Sequence, residues 1–326
     1  MTTPDPVRLY EFKDRMLSLA LARVSESAAI AAAKLIGHGD EKAADQAAVD
    51  AMRKQLDLMD INGVVVIGEG ERDEAPMLFI GEEVGNGDGP QVDIALDPLE
   101  GTTLTAKAMP NAMAVIAMGP RGSMLHAPDV YMWKLAVGPG YPEGVVDLDM
   151  DPAECVRELA KSKGVPPWEV TVCILERPRH QEIIDKVRHT GAAIHLITDG
   201  DVAGVIHTAA SDHTGIDMYM GAGGAPEGVL AAAALKCMGG QIQGRLWFRS
   251  DDERARAERA GIADFDKKYT LHEMVNSDVI FAATGVTDGS ILRGARKHGH
   301  YLETETLLMR SKTGSVRRIT YRQKNQ

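Results

Sequence analysis

Apolar residues recur at intervals of three and four positions along the first part of the chain, which is the spacing of one face of an α-helix. The pattern predicts a first helix from Val7 to about Ile36 and a second helix that ends near Met59. Asp40 follows the glycine-containing break between them and is a suitable N-cap for the second helix. The N-terminal part of the chain is therefore predicted to be helical.

Short apolar runs of strand length alternate with helical stretches through the rest of the chain. The runs cover residues 64–67, 92–96, 112–118, 170–175, 193–197, 216–220, 279–283 and 306–309. This alternation predicts an α/β fold. A loop cluster at 138–142 and a change of texture after Asp149 predict two domains, 1–148 and 149–326, and the length of 326 residues agrees with about two.

Acidic residues outnumber basic ones, with 47 Asp plus Glu against 36 Lys plus Arg and a formal net charge of -11. Nucleic acids and anionic membranes bind basic patches, so we expect neither as a partner. The same charge permits a phosphorylated ligand if metal cations stand between the protein and the phosphate.

The N-terminal residues and the cysteine content predict a cytoplasmic protein. Three cysteines without close spacing argue against a disulfide framework and favour a reducing compartment. The N-terminus lacks the pattern of a signal peptide, and no uninterrupted apolar run approaches the ~20 residues of a membrane-spanning helix.

Carboxylates follow the predicted strands of the first half. Glu69 comes directly after the run 64–67, and Asp97 comes directly after the run 92–96, with Glu100 one tight turn further on. Carboxylates that converge at strand ends can hold Mg²⁺ or Mn²⁺. The residues around Glu69 could instead form a solvated charged loop, and Asp-Pro is a routine turn opener. The whole run Asp-Pro-Leu-Glu-Gly-Thr after an apolar strand favours a functional site.

Asp45 and Gly101 extend this prediction. Counting by threes and fours from Asp45 gives only apolar residues, so Asp45 begins the inward face of the second helix, where an unpaired carboxylate is costly. A bound cation would supply its partner, although a carboxylate there could also only complement the helix dipole. Gly101 lets Thr102 and Thr103 approach a phosphate closely.

Polar turns follow the strands of the second half. Arg177 and Arg179 share one turn, and arginine suits bidentate phosphate contacts, although both could be surface cations. Asp199 and Asp201 could accept hydrogen bonds from sugar hydroxyls or could simply open a helix. Glu227, in a glycine-rich turn, is either a partner of the helix dipole or a further metal ligand.

These motifs resemble a known family. Asp-Pro-Leu-Glu-Gly-Thr at 97–102 is similar to the signature of the lithium-sensitive, metal-dependent sugar phosphatase superfamily. Within that superfamily the chain resembles class II fructose-1,6-bisphosphatases through five further motifs, at 67–77, 127–132, 177–180, 199–203 and 223–228. The resemblance runs from about Arg23 to Arg318.

The resemblance implies two metal subsites for Mn²⁺ or Mg²⁺. Asp45 and Glu69 match the ligands of one subsite, and Asp97, Glu100 and Glu227 match those of the other. Thr102 matches the threonine that helps to position the attacking water, and Glu69 or Asp73 would take its proton. The implied substrate contacts are Glu100, Gly101, Thr102, Tyr131, Arg177, Pro178, Arg179, Asp199, Gly200, Asp201 and Gly224.

The resemblance also implies the activity and the architecture. The expected reaction is hydrolysis of the 1-phosphate of fructose 1,6-bisphosphate, a step of gluconeogenesis, in a layered α/β/α/β/α sandwich that is a homodimer or homotetramer. Sedoheptulose 1,7-bisphosphate remains open as an alternative or second substrate. Inositol monophosphate and adenosine bisphosphate are the nearest rival substrates, and a non-catalytic sugar-phosphate binding protein is the alternative outside enzymes. A Rossmann-type dinucleotide site is excluded because no Gly-x-Gly-x-x-Gly follows the first strand.

Overall fold

A computed structural model describes the backbone of residues 6–70 and 77–324, with side chains from residue 16 onward. Two mixed β-sheets organise this part of the chain. The first sheet has eight strands in the spatial order β12-β13-β11-β4-β3-β1-β2, and β14 pairs with β13 at its edge. Its strands are β1 (Asn62–Ile67), β2 (Glu83–Val84), β3 (Gln91–Glu100), β4 (Met113–Pro120), β11 (Ile280–Gly285), β12 (Arg296–His298), β13 (Tyr301–Arg310) and β14 (Ser315–Lys324).

The second sheet has six strands in the spatial order β10-β9-β5-β8-β6-β7. These strands are β5 (Tyr131–Val137), β6 (Thr171–Leu175), β7 (Ala193–Ile197), β8 (Met218–Gly224), β9 (Gln241–Trp247) and β10 (Lys268–Thr270). β6 runs parallel to both β7 and β8, whereas β5 is antiparallel to β8 and β9.

Helices lie outside and between the two sheets. They are α1 (Pro6–Ala33), α2 (Glu41–Leu56), α3 (Thr102–Ala106), α4 (Pro152–Lys163), α5 (Gln181–His189), α6 (Asp201–Thr208), α7 (Ser211–Thr214), α8 (Ala225–Met238), α9 (Asp251–Arg259) and α10 (Leu271–Met274).

Successive side chains of a strand point to opposite faces of its sheet, so each sheet lies between two apolar cores. The two sheets share the middle core, which gives three cores and five layers. On β4, Ile116 points to the core shared with α1 and α2, whereas Val115 points to the core shared with α6 and α8. On β5, Leu135 points to a third core with α4 and α5, whereas Met132 and Ala136 face the middle layer. The order is therefore helix, sheet, helix, sheet, helix, which confirms the predicted α/β fold and its layered sandwich.

The position of helix α8 between the two sheets explains why its sequence is apolar on every side. A surface helix needs one apolar stripe, but a helix between two sheets buries its whole circumference. Residues 228–235 of α8 are all buried, and five of them are alanine or glycine, so the helix fits a narrow space between the sheets.

The two predicted N-terminal helices are confirmed as α1 and α2. Asp40 caps α2, since its Oδ1 accepts a hydrogen bond from the Ala43 N–H at 2.9 Å. The residues spaced by threes and fours from Asp45 are buried, as the inward-face interpretation requires.

The segment Met16–Ala33 of α1 has the length and composition of a membrane-crossing helix, but 56% of it is buried within the protein. Its buried residues pack on the first sheet, as those of a core helix do.

Strand β3 continues beyond its predicted end. The apolar run predicts a strand that stops at Leu96, but pairing with β4 continues to Glu100 through a register shift after Asp97. Asp97 pairs with Val115 and Glu100 pairs with Met113, so β3 has one more residue than β4 between these two pairs. This extra residue is a β-bulge in β3. Pro98 lies inside this bulge, where a missing N–H costs no ladder hydrogen bond. Both carboxylates are thus held by the sheet rather than by a loose turn.

Sheet membership does not follow the predicted division into domains 1–148 and 149–326, which stays a prediction. β5 lies before residue 148 and belongs to the second sheet. Residues 280–324 lie after the predicted boundary at residue 148 but belong to the first sheet, where β11 pairs with β4. The chain therefore crosses between the sheets twice.

A buried histidine predicts a pH dependence of stability. His207 on α6 is 2% exposed, its Nε2 lies 2.8 Å from the Ser290 hydroxyl, and its Nδ1 has no hydrogen-bond partner among the described residues. Burial, and secondarily nearby His195, lowers the pKa of His207 from 6.5 to about 4. The neutral ring is the folded form, so its contribution is complete above about pH 6.5 and is lost as the pH falls toward 4.

Urea unfolding at about pH 7.5 and about pH 5.5 checks this expectation. The wild-type free energy of unfolding should lose ~1 kcal/mol more between these values than that of His207→Gln, whose side chain does not titrate. Comparing the two proteins cancels the titration of all other groups. Equal pH dependence in both would contradict the assignment.

Candidate active site

Residues from both halves of the sequence line a cavity of about 350 Å³ between the sheets. The carboxyl-side ends of β1 and β3 meet the N-terminal turn of α8 at this point. Eight of the predicted site residues are in its lining: Asp45, Glu69, Asp97, Glu100, Gly101, Thr102, Asp199 and Glu227. All five predicted metal ligands therefore face one space, although they come from sequence positions as far apart as 45 and 227.

Glu69 is placed by a close crossing of two backbone segments. Gly68 lies against the Leu78 carbonyl so tightly that a Cβ would overlap it, and the Glu69 N–H donates to the same carbonyl at 3.0 Å. Burial, and then the charges of Asp97, Asp45 and Glu227, raise the pKa of Glu69 to about 9. Glu69 is therefore held among other acids.

Asp97 and Glu100 form a hydrogen-bonded carboxyl pair on the bulge of β3. Asp97 Oδ1 also accepts from the Leu99 N–H at 3.0 Å. Burial raises the pKa of Asp97 against the opposing effect of the hydrogen bond with Glu100, and the result is a pKa of about 6. The pKa of Glu100 lies well above its ordinary value because of burial and the charge of Asp97. Burial and mutual repulsion thus disfavour the simultaneous ionisation of both carboxyl groups.

Gly101 turns the chain from β3 into α3 with a φ of 90°, in the left-handed region that favours glycine. The Gly101 carbonyl accepts from the Thr105 N–H at 3.0 Å and from the Thr105 hydroxyl at 3.3 Å, which fixes the short helix. Thr102, its first residue, is half-buried and faces the cavity beside Glu100. The turn thus presents a hydroxyl next to the carboxylate pair.

Glu227 and Asp199 are the acids that the second half contributes to the cavity. Burial raises the pKa of Glu227 to about 7; the charges of Asp201 and Asp97 act in the same direction, and Lys134 opposes them. Burial also raises the pKa of Asp199. Glu227 lies in the first turn of α8 and is packed against Gly224, where a Cβ would overlap the Glu227 carboxylate.

Glu100 at the end of β3 forms a hydrogen bond to the start of α6, in the second half of the sequence. Its Oε1 accepts a hydrogen bond of 2.8 Å from the Val202 N–H, at the start of α6. Glu100 is 5% exposed, so this bond and the one to Asp97 satisfy a carboxyl group that is shielded from water. Its predicted role as ligand and substrate contact thus coincides with a structural contact between distant segments.

The turn Arg177-Pro178-Arg179-His180 is anchored by its histidine. The His180 Nδ1 lies 2.7 Å from the Leu175 carbonyl, and its Nε2 accepts from the Ala222 N–H at 2.8 Å. These two contacts fit a neutral ring, and burial lowers the pKa of His180 accordingly. His180 therefore bridges β6 and β8 and holds both arginines at one end of the second sheet.

The two arginines differ in their contacts. Arg179 donates from Nε and Nη2 to the Ala222 carbonyl at 3.1 and 2.7 Å, and its guanidinium lies 4.8 Å from the centre of the Tyr131 ring. Arg177 donates from Nη1 to the Glu176 carbonyl at 3.0 Å.

Several predicted substrate contacts are not in the lining of the cavity. They are Tyr131, Arg177, Pro178, Arg179, Gly200, Asp201 and Gly224. Asp201 is 7% exposed, and its Oδ2 accepts from Lys134 and, at 3.4 Å, from the Tyr219 hydroxyl. Asp73, the other predicted proton acceptor, lies outside the described residues. The substrate and catalytic assignments therefore stay predictions.

Sequence reasoning missed three charged residues at this site. Asp129 lines the cavity, and Arg249 places its guanidinium 4.1 Å from the centre of the Tyr131 ring. Lys134 is buried on β5 and pairs with Asp201. A lone lysine inside the apolar run 132–137 was the available signal, because such a residue needs a buried partner.

The donor set fits a hard divalent cation. All five predicted ligands are carboxylates, and oxygen is the donor that Mg²⁺ and Mn²⁺ prefer. Burial first, and then the charges of neighbouring acids, raise the pKa values of Glu69, Asp97 and Glu227, and a bound cation would offset both effects. Within residues 6–70 and 77–324, however, no group of three or more His, Cys, Asp or Glu side chains is arranged to hold a metal ion. The chemistry of the donors fits, while their positions are not those of a complete coordination shell.

The fold and the cavity define a layered α/β protein with an acidic cleft between its sheets. Residues 15–323 match the family described as bacterial fructose-1,6-bisphosphatase, glpX-encoded. The chain belongs to this family, as its motifs predict.

Curated relatives agree with the family match. The chain is 46% identical over 319 residues to fructose-1,6-bisphosphatase 1 class 2 of Escherichia coli strain K12. The alignment covers 94% of this chain and 94% of that protein. The same identity and coverage hold for fructose-1,6-bisphosphatase class 2 of Shigella flexneri. The solved structure of an inositol monophosphatase from Anabaena (Nostoc) sp. PCC 7120 aligns with 62% of this chain and 71% of that one, at 14% identity and a TM-score of 0.31.

Proposed function

We propose that the chain hydrolyses the 1-phosphate of fructose 1,6-bisphosphate and releases fructose 6-phosphate and phosphate, as a step of gluconeogenesis. The observation that carries this proposal is the convergence of five carboxylates and Thr102 on one cavity, in a chain that belongs to the bacterial fructose-1,6-bisphosphatase family. Phosphoryl transfer needs mainly positioning and charge stabilisation, which such a site supplies without a covalent nucleophile.

Two metal subsites for Mn²⁺ or Mg²⁺ are part of the proposal. Asp45 and Glu69 would hold one cation, and Asp97, Glu100 and Glu227 the other. Divalent cations bound there would lower the pKa of a bound water and stabilise charge on the phosphoryl oxygens. Because the pKa values of Glu69 and Glu227 are raised, cation binding would be coupled to proton release from these carboxyls.

Thr102 and a neighbouring carboxylate would act on the attacking water. The Thr102 hydroxyl, fixed by the Gly101 turn, would orient the water toward the phosphorus, and Glu69 or Asp73 would take its proton. Thr102 has a geometric role here, and the carboxylate a proton-transfer role.

The remaining predicted residues would hold the sugar and the 6-phosphate. Arg177 and Arg179 lie on the turn fixed by His180 and would face the distal phosphate, with Tyr131 beneath the Arg179 guanidinium. Asp199 in the cavity would accept from sugar hydroxyls. Contacts to both phosphates would favour a bisphosphate over a monophosphate.

A panel of substrates tests this proposal. Phosphate release with Mn²⁺ should be at least about 100-fold more efficient, as kcat/KM, on fructose 1,6-bisphosphate than on inositol monophosphate or adenosine bisphosphate. Inositol monophosphate lacks the second phosphate, and adenosine bisphosphate carries its two phosphates on a nucleoside instead of at the two ends of a sugar. Sedoheptulose 1,7-bisphosphate is the alternative sugar and belongs in the same panel. Binding of fructose 1,6-bisphosphate without turnover would support a non-catalytic binding protein and overturn the proposed activity.

We also propose a cytoplasmic, homodimeric or homotetrameric enzyme with domains 1–148 and 149–326. Its substrate is a phosphorylated sugar, with no nucleic-acid or membrane partner. Support comes from the acidic net charge of -11 and from the bacterial origin of the curated relatives.

A further inference from the structure

Lys134 is a cation enclosed at the centre of the protein. It lies on β5 between Met132 and Ala136, which face the middle layer, so the strand alternation directs Lys134 to the same side. The residue is 1% exposed. Burying an ammonium group is costly unless hydrogen bonds and an opposite charge compensate it. Its partners therefore show why it is there.

Those partners lie at the starts of two different helices. The Lys134 ammonium donates to Asp201 Oδ2, at the first residue of α6, and to the Gly224 carbonyl at 2.8 Å, directly before α8. Gly223 leaves room for this contact, because a Cβ there would overlap the Asp201 carboxylate and lie 3.1 Å from the Lys134 Nζ. One side chain thus joins two segments that are otherwise separated by more than twenty residues of sequence.

Each of these helix starts carries an acid of the cavity. Asp199 precedes α6 by two residues, and Glu227 lies in the first turn of α8; both line the cavity, whereas Asp201 is not in its lining. The Val202 N–H donates to Glu100, so the start of α6 is fixed from the other side as well. Displacing Asp201 would therefore displace Asp199, and displacing Gly224 would displace Glu227.

We propose that Lys134, through its ion pair with Asp201 and its bond to the Gly224 carbonyl, is a positioning residue that sets Asp199 and Glu227 relative to each other across the cavity. The proposal rests on the proposed function, because substrate and cation binding at those two acids are its readouts. Removing a residue that fixes the orientation of metal-ligating side chains typically lowers metal affinity or activity by ~10–100-fold.

A second lysine–aspartate pair, whose lysine is more exposed than Lys134, provides a control. The Lys163 ammonium lies 2.7 Å from Asp217 Oδ1, and Asp217 is 3% exposed and also accepts from the Thr171 N–H at 3.0 Å. Neither residue lines the acidic cavity, and Lys163 faces a different one. Lys163→Met breaks an ion pair of the same composition without touching the proposed site.

The test compares Lys134→Met, Lys134→Met/Asp201→Asn and Lys163→Met with the wild-type full chain, by Mn²⁺ binding and by steady-state kinetics. The double variant removes both charges, so it avoids an uncompensated buried carboxylate and keeps the test decisive if Lys134→Met does not fold. We expect Mn²⁺ binding to weaken ~10-fold or more in both Lys134 variants. KM for fructose 1,6-bisphosphate should rise ~10-fold or more in Lys134→Met; in the double variant Mn²⁺ binding alone is the readout, because Asp201 is itself a predicted substrate contact. Lys163→Met should keep both values within about twofold while losing thermal stability.

Wild-type Mn²⁺ affinity in the folded Lys134 variants, single or double, with wild-type KM in Lys134→Met where that variant folds, would overturn the proposal and leave the pair as a purely structural contact. The two readouts also separate this proposal from the proposed function. If the wild-type protein releases no phosphate from fructose 1,6-bisphosphate, the proposed function fails, while the Mn²⁺ affinities still support or overturn the role of Lys134.

Discussion

Asp97→Asn is expected to remove metal-dependent phosphate release, with a loss of ~10³-fold or more in kcat. The substitution keeps the size of the side chain and an oxygen for the Leu99 N–H, which now donates at 3.0 Å. It removes one negative charge from a set of carboxylates that is proposed to bind cations. The activity should therefore fall through lost cation binding and not through a lost fold, and a titration with Mn²⁺ should no longer reach the wild-type rate.

The same substitution should stabilise the metal-free protein. Burial raises the pKa of Asp97 from 3.8 to about 6, so folding disfavours its ionised form. The cost of ionisation grows as the pH rises from 3.8 to about 6 and is complete above that value. Replacing Asp97 with a neutral amide should therefore increase the free energy of unfolding in EDTA at about pH 8 by about 1–3 kcal/mol.

Asp50→Asn is the matched control for both measurements. Asp50 lies on α2 but is exposed, and its Oδ1 accepts a hydrogen bond of 2.8 Å from the Gln46 Nε2, one turn earlier on the same helix. It should change neither the Mn²⁺ response nor the stability beyond about 0.5 kcal/mol. An Asp97→Asn protein that is less stable than wild type in EDTA, yet fully activated by Mn²⁺, would contradict the assignment of Asp97.

Thr102→Ala should lower kcat by ~10²–10³-fold while leaving the free energy of unfolding within about 0.5 kcal/mol. The hydroxyl faces the cavity from a half-buried position at the start of α3, so its removal leaves no buried cavity in the core. The turn itself is held by Thr105 and the Gly101 carbonyl, which the substitution does not touch. Steady-state kinetics with urea unfolding measures both quantities.

Thr103→Ala separates a specific role of Thr102 from a general effect on the turn. Thr103 is the next residue of α3 and equally half-buried, but it does not line the cavity. It should retain kcat within a few-fold. Near wild-type turnover in Thr102→Ala, or an equal loss in both variants, would refute the positioning of water by Thr102.

Local sequence patterns predicted the parts of the site that local chemistry determines. Asp45 was placed on the inward face of α2 by counting along one helix, and the buried residues of that face confirm the count. Asp97 and Glu100 were predicted to lie at the end of an apolar strand. The bulge that holds them inside β3 was not predictable, because it arises from the register with β4, a strand elsewhere in the sequence.

Contacts between distant segments account for what the sequence did not reveal. Glu100 meets Val202 across 102 positions, and Lys134 meets Asp201 across 67. Neither pairing leaves a periodic pattern in the chain. The strand β14 is indicated in the sequence only by the glycine of its hairpin turn, Gly314, whose φ is 58°. The strand lies at the edge of the first sheet with mostly exposed side chains, so it lacks the apolar alternation that marks a half-buried strand.

The central claim is that this acidic cavity hydrolyses fructose 1,6-bisphosphate with the help of divalent cations. The most direct measurement is phosphate release from fructose 1,6-bisphosphate by the wild-type protein after EDTA treatment, titrated with Mn²⁺ and with Mg²⁺, with identification of the sugar product. Saturable, cation-dependent release of one phosphate per sugar, with fructose 6-phosphate as product, is the predicted result. Undiminished release in EDTA, fructose 1-phosphate as product, or no release at any cation concentration would contradict it.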